Sequence, residues 1–301
     1  MTTTLRGLVS AFISTRRLKN LSPNTITFYS QHLNKFLEFM ESHYPDVSVE
    51  KIGHSILREY VFGLKKRHAP GGVNHHIKVL KILFKFMVEE GMITENPSKK
   101  IPKLKAERIV IPTFSNDQVQ AMLGVTKQQM DFPGIRNNTL ITLLFDTGCR
   151  ISELLSLMQD NIQFEEKILT VRGKGGQQRI VPFGDRSLVN LIKYLHKRNK
   201  SFGKESVLFL TRFGDPLTLR MTNKIIERIG EKAKVENVRL SAHTFRHTFA
   251  KNWLMNGGDI FSLQKILGHS TLDMVRNYVN ITFQDIQSQH NKFSPGDNLM
   301  K

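Results

Sequence analysis

The sequence predicts a mainly α fold in two parts: an N-terminal four-helix domain, then a helical domain of α+β character with one small β-hairpin. Three observations predict it. Apolar residues recur at helical spacing along most of the chain, a proline-broken basic stretch separates the two parts, and strand-like residues flank a glycine cluster at one place. The 301 residues suit two domains of ordinary size, and 40% hydrophobic against 23% charged content is that of a packed chain.

The elements follow in order. Leu5, Leu8, Val9, Phe12 and Ile13 mark one buried helical face. Ser22-Pro23 is a cap followed by proline at the first helical position, leading into Ile26, Tyr29, Leu33, Phe36, Leu37 and Met40. A third helix is expected from about Ser55 to Lys66, and a fourth from about Gly72 to Glu90, stopped by Gly91. These four helices leave Lys65, Lys66, Arg67, Lys78, Lys81 and Lys85 on outer faces. Pro97, Pro102 and Pro112, set among Lys99, Lys100, Lys103, Lys105 and Arg108, read as an extended linker. The expected domains are therefore 1–96 and 114–301, with the linker at 97–113 and a C-terminal tail from about 280.

The second domain opens with a capping box, Ser115 and Gln118. A helix follows, then another through Leu140, Leu143 and Leu144 that ends at Thr147-Gly148, and a third starting at Arg150. Ile168–Val171 and Arg179–Phe183 are the expected strands, joined through Gly173-Lys174-Gly175-Gly176. Helices are then expected at 186–198, 218–234, 242–255, 260–267, 271–279 and 282–291.

Charge narrows the function. Lys+Arg number 44 against 26 Asp+Glu, a net of +18, which points to a polyanionic partner, nucleic acid before a membrane surface. Residues 1–105 hold 17 basic and 8 acidic residues, nearly twice the basic excess per residue of the remainder, so this part is expected to grip phosphates. No run approaches the ~18 consecutive apolar residues of a spanning helix. The N-terminus, broken by Arg6, Gly7 and Ser10, lacks a small-residue cleavage site, and a cytoplasmic protein is expected. Cys149 is the single cysteine, which rules out an internal disulfide and a cysteine-built zinc site.

Individually, the candidate site residues are ambiguous. With Ile151, Leu154, Leu155 and Met158 as the buried stripe, Arg150 and Glu153 fall outside it, one turn apart. Taken alone they read as a surface ion pair worth about 0–1 kcal/mol. His243 and Arg246, also three apart, are expected to project from a flank of the helix packed through Phe245, Phe249 and Trp253. An arginine fork beside an imidazole suits a phosphate. His247 could suggest metal ligation, but no acidic partner follows His243 and no third ligand is evident, so metal binding is the weaker reading. Lys174 sits on a turn, His269 at a helix end, and Tyr278 at a spacing that fits a core aromatic.

Their order is more telling. TGCRISELLSL, the hairpin lysine, HTFRHTFA and LGHSTLDMVRNY together resemble the signature of the tyrosine recombinases, the phage integrase family, and SPNTITFYSQHLNKFLEF is similar to that family's helical core-binding domain. The resemblance implies a catalytic domain after a DNA-binding one. It implies site-specific cleavage and rejoining of DNA through a 3′-phosphotyrosine, with no cofactor and without metal or ATP. Tyr278 is then the nucleophile, and Arg150 and Arg246 balance phosphate charge. His243 is the base, Lys174 the acid to the leaving oxygen, and His269 a phosphate ligand, with Glu153 as orienter. The partners implied are double-stranded DNA, a homodimer on each site, a homotetramer in the synapse, and for some members a directionality factor. Integration or excision of a mobile element is the expected setting, with Xer-type dimer resolution as the alternative. A type IB topoisomerase and a non-catalytic DNA-binding regulator are the further rivals.

Overall fold

The computed structural model describes residues 4–105, 111–173, 176–203, 207–268, 271–272 and 283–298. The chain divides into two compact units, Met1–Ile109 and Val110–Lys301, each with its own hydrophobic core.

The first unit is built on four helices, α1 (Leu5–Leu18), α2 (Pro23–His43), α3 (His54–Lys65) and α4 (Pro70–Glu89), with a 3₁₀ turn at Val49–Lys51. Local chemistry sets the starts: the Thr4 side chain accepts from the Gly7 amide, and the Ser22 hydroxyl from the Thr25 amide just before Pro23. The expected apolar faces meet in a core around Phe12, Leu33, Phe36, Leu57, Leu83 and Phe84. Leu5 and Tyr29 lie half-buried at its rim. Lys65, Lys66, Arg67, Lys78 and Lys85 are exposed as expected, whereas Lys81 is half-buried. The stretch expected as an extended linker is not free chain at its start. Ile101 is buried in this core, and Asn74 on α4 accepts from the Leu104 amide at 2.8 Å and donates to its carbonyl at 2.9 Å. Two apolar side chains and one amide clamp outweigh the local signal of proline and charge, while Lys99, Lys100, Lys103 and Lys105 stay exposed.

In the second unit α5 (Asn116–Lys127) starts with the complete Ser115–Gln118 capping box. Helix α6 (Phe132–Thr147) is the central element, packed against α5, α8 (Asp185–Phe202) and α10 (Ala242–Met255). It is buried on nearly every side, which explains its weak amphipathic pattern, and its polar residues are paired internally. Arg136 donates to Leu210 O and to Asn137, and Asn138 to Thr126. After the short α7 (Ile151–Leu155) come β1 (Ile162–Gln163), β2 (Ile168–Arg172) and β3 (Gln178–Pro182), an antiparallel sheet in the order β1-β2-β3. The expected hairpin is β2–β3, with Arg172 opposite Gln178; the two-residue β1 is too short to leave a periodic signal. Helices α9 (Leu219–Lys232) and α11 (Ile260–Leu267) complete the core, and further helices span Phe283–Phe293 and Pro295–Asn298. The helix expected at 271–279 lies, but for its first two residues, outside the described residues.

Candidate active site

Helix α6 ends at Gly148, whose φ of +59° is left-handed. A Cβ there would stand 2.3 Å from Phe249 Cδ1, so both conformation and space require glycine. The turn delivers Arg150 to the N-cap of α7 and Glu153 to its third position. Contrary to the expected surface pair, Glu153 is buried, its side chain 2% exposed, while Met158 is exposed and Leu157 takes its place in the core. The reason is that α7 is only five residues long, so its helical stripe does not continue to Met158.

Four bonds hold the Glu153 carboxylate. Oε1 accepts from Arg150 Nη1 at 2.9 Å and from Arg179 Nη1 at 2.7 Å; Oε2 accepts from the Arg150 amide at 2.8 Å and from Arg179 Nη2 at 2.7 Å. These fill the acceptor sites of a carboxylate. Burial pushes this carboxyl up, but the Arg179 fork and the two Arg150 bonds more than reverse it, so Glu153 titrates below its ordinary range. Burial likewise opposes the Arg179 charge, and the bonds to Glu153 raise its pKa above the usual value.

Arg246 does not project from a flank of α10; it is buried, at 1% exposure. Nη1 donates to Gly148 O at 2.8 Å and Nη2 to Leu267 O at 2.7 Å. Those carbonyls sit at the C-terminal ends of α6 and α11, where helix dipoles place partial negative charge. A guanidinium can be buried there because two helix ends supply its acceptors. Arg179 treats α11 in the same way, its Nε donating to Ile266 O at 2.7 Å.

His243 is exposed near the start of α10, whose cap Ser241 accepts from the Thr244 amide. Partial desolvation of its ring, then the charges of Arg246, Arg239 and Arg150, lowers its pKa below the usual 6.5. The neutral imidazole is therefore the form present at pH 7. His247, one turn on, packs its ring edge-on to His243 with centroids 4.6 Å apart. Burial, with His243 and Arg246, takes its pKa down to about 4. Among the described residues no group of three His, Cys, Asp or Glu is arranged to hold a metal ion. Cys149 is buried, and burial raises its thiol to about 11, which removes it as a nucleophile at neutral pH.

The patch thus gathers Arg150 from the cap of α7 and Arg246 and His243 from α10, with Glu153 and Arg179 behind them. Three guanidinium groups against one carboxylate leave the patch net cationic, with Arg150 the most exposed of the three, and this charge suits a phosphodiester. Lys174, His269 and Tyr278 lie outside the described residues. Sequence reasoning names Arg179 only as the first residue of an expected strand. Its signal was the alternation of β3, which sets Arg179 on the same face as buried Val181.

Family models match both units. The phage integrase family matches residues 112–285, and the phage integrase N-terminal SAM-like domain matches residues 8–93. The chain belongs to the phage integrase family. It is a tyrosine recombinase, an enzyme of site-specific recombination, and its relatives extend along nearly its whole length. It is 30% identical over 281 residues to tyrosine recombinase XerD of Staphylococcus aureus, covering 92% of this chain and 94% of that one. With tyrosine recombinase XerC of Pelobacter propionicus it shares 28% over 279 residues, covering 92% and 91%. Among solved structures its fold is similar to XerH site-specific recombinase bound to palindromic difH substrate in a post-cleavage complex, with a TM-score of 0.74, 22% identity and coverage of 94% and 82%. A lambda integrase dimer bound to a core site gives 0.73 and 17%, covering 90% and 97%. Among the described residues of the recombinase no helix is long and apolar enough to cross a membrane.

Proposed function

We propose that this recombinase cuts and rejoins double-stranded DNA at a specific site through a 3′-phosphotyrosine link, with Tyr278 as the nucleophile. The observation that carries the reading is convergence: Arg246 of α10 donates to the carbonyl of Gly148, two residues before Arg150 at the cap of α7, and His243 lies one turn before Arg246 on α10. Attack by the phenol exchanges one phosphodiester for another and releases a 5′-hydroxyl; the link keeps the bond energy, so rejoining needs no ATP. Arg150 and Arg246 balance the charge that grows on the nonbridging oxygens. A phenol with an unperturbed pKa of about 10 needs a base at pH 7, and the neutral His243 is that base. Lys174 protonates the departing 5′-oxygen, His269 bonds a nonbridging oxygen, and Glu153 orients Arg150.

The exposed cations Lys65, Lys66, Arg67, Lys78, Lys85, Lys99, Lys100, Lys103 and Lys105, with half-buried Lys81, bind DNA phosphates. Two protomers occupy each site and four form the synapse, and the enzyme works on DNA in the cytoplasm. Excision or integration of a mobile element, aided by a directionality factor, is one setting. The likeness to XerC and XerD over 92% of the chain favours dimer resolution as the second. Mapping DNA covalently trapped on the enzyme in cells tests the reading. Adducts at one recurrent site support it. Adducts scattered over arbitrary DNA would make the enzyme a topoisomerase, and occupancy without adducts would make it a DNA-binding regulator.

A further inference from the structure

Arg179 stands where strand β3 would otherwise present an apolar residue. It pairs across the hairpin with Val171, is two residues from buried Val181, and its side chain is only 13% exposed. Its hydrogen bonds reach two separate elements. The fork closes on Glu153 of α7, and Nε holds Ile266 O at the end of α11. Next along the chain, Leu267 O is held by Arg246, so consecutive carbonyls of α11 are gripped by arginines from β3 and α10. The Arg179 side chain also lies flat against Gly268, where an added Cβ would come within 2.9 Å of its Cδ. Gly268 has a φ of +64° and directly precedes His269 in the chain.

The electrostatic consequence concerns Arg150. A buried carboxylate beside a single arginine cancels that arginine's charge and draws both its Nη groups into a bidentate pair. Here Arg179 occupies one acceptor position on each Glu153 oxygen, so Arg150 gives Glu153 only Nη1 and its own amide. Among the described residues the Arg150 Nε and Nη2 have no acceptor, and its side chain is 36% exposed.

We propose that Arg179 is a positioning residue: it takes up the charge of Glu153 and fixes the end of α11, so that Arg150 meets the scissile phosphate as a net cation. The proposal rests on the recombinase reading above, in which Arg150 touches that phosphate. It assigns Arg179 no contact with DNA. Arg179 acts by freeing Arg150 and by setting the backbone that leads into His269.

A charge cycle tests it, with Arg179→Met, Glu153→Gln and the double variant compared on a nicked duplex carrying the site recovered by adduct mapping. Arg179→Met is expected to slow phosphotyrosine formation about 100-fold, the scale of a misplaced catalytic group, with DNA affinity within about 3-fold of wild type. Adding Glu153→Gln removes the charge that would capture Arg150, so the double variant is expected to regain at least about tenfold in rate. Arg179→Lys, which keeps the charge without the fork, is expected to fall between wild type and Arg179→Met, and it serves if Arg179→Met does not fold. A purely structural arginine predicts the opposite for the cycle: a double variant as slow as Arg179→Met or slower. That result, or wild-type cleavage by either Arg179 variant, would overturn the proposal while leaving the recombinase reading standing. No adduct from the wild type would overturn the reading itself, and the proposal with it.

Discussion

At the residue scale, the site depends on side chains whose burial contradicts their sequence neighbourhoods. Glu153 and Arg246 fall where helical periodicity puts solvent-facing residues, yet both are buried because partners far along the chain, Arg179 in one case and two helix ends in the other, supply their bonds. The types and order of Arg150, Glu153, His243 and Arg246 were legible in the sequence. Their depth was not, since periodicity registers neighbours on one helix and not those that fold across. His243 gives a prediction with a definite sign. A base works deprotonated, and its pKa in the free enzyme lies below 6.5, so cleavage at subsaturating DNA should hold level above pH 6.5 and fall as pH drops below it. A rate profile between pH 5 and pH 8 checks this; an acid limb centred above 6.5 would assign the titration to another group.

Burial of neutral histidines also couples stability to pH in each unit. His76 accepts or donates across 2.8 Å to the Tyr60 hydroxyl, and burial, then neighbouring His32, takes its pKa to about 4; His247 is held as low in the second unit. Each has a folded pKa below its unfolded 6.5. The stability they contribute is complete above pH 6.5 and is lost as pH falls from there toward 4, on the order of 3 kcal/mol apiece. Urea unfolding at pH 7 and pH 5 should show it, with the acid sensitivity reduced in His76→Gln and in His247→Gln.

At the element scale, the helix ends matter more than the helix faces. Capping signals at Ser22 and Ser115, and stops at Gly91 and Gly148, were readable because they are local chemistry. Helix α6 shows why local pattern has limits: it is buried all round, and no amphipathic stripe marks which side meets α8 and which α10. The proline-rich stretch after Pro97 shows the same limit from the other side, since Ile101 and Leu104 are anchored by residues of α4 and the first core. Gly148 ties the end of α6 to Arg246, so Gly148→Ala should fail twice. The left-handed backbone costs a side chain about 1–2 kcal/mol, and the clash with Phe249 adds about 1–3. Thermal unfolding measures the loss, and an unchanged midpoint would show that the turn can relax without moving Phe249.

For the molecule as a whole, the two cores share no residue, and the first unit carries the denser positive charge. Lys78, Lys81 and Lys85 recur along α4 at spacings of three and four, with Lys85 already 3.5 Å from Glu89. Replacing Lys78 and Lys81 by Gln should weaken DNA binding evenly across sequences. The slope of log affinity against log salt should flatten by about 2, one counterion's worth for each phosphate that is no longer neutralised. Anisotropy titrations at several salt concentrations give that slope, and an unaltered value would remove this face of α4 from the DNA path. The most direct measurement concerns the covalent bond itself. The wild-type enzyme is incubated with a nicked duplex carrying its site, digested, and the DNA-bearing peptide sequenced by mass spectrometry. The account predicts a 3′-phosphate joined to Tyr278, with no adduct but undiminished binding in Tyr278→Phe. An adduct on any other residue, or undiminished adduct in that variant, would contradict it.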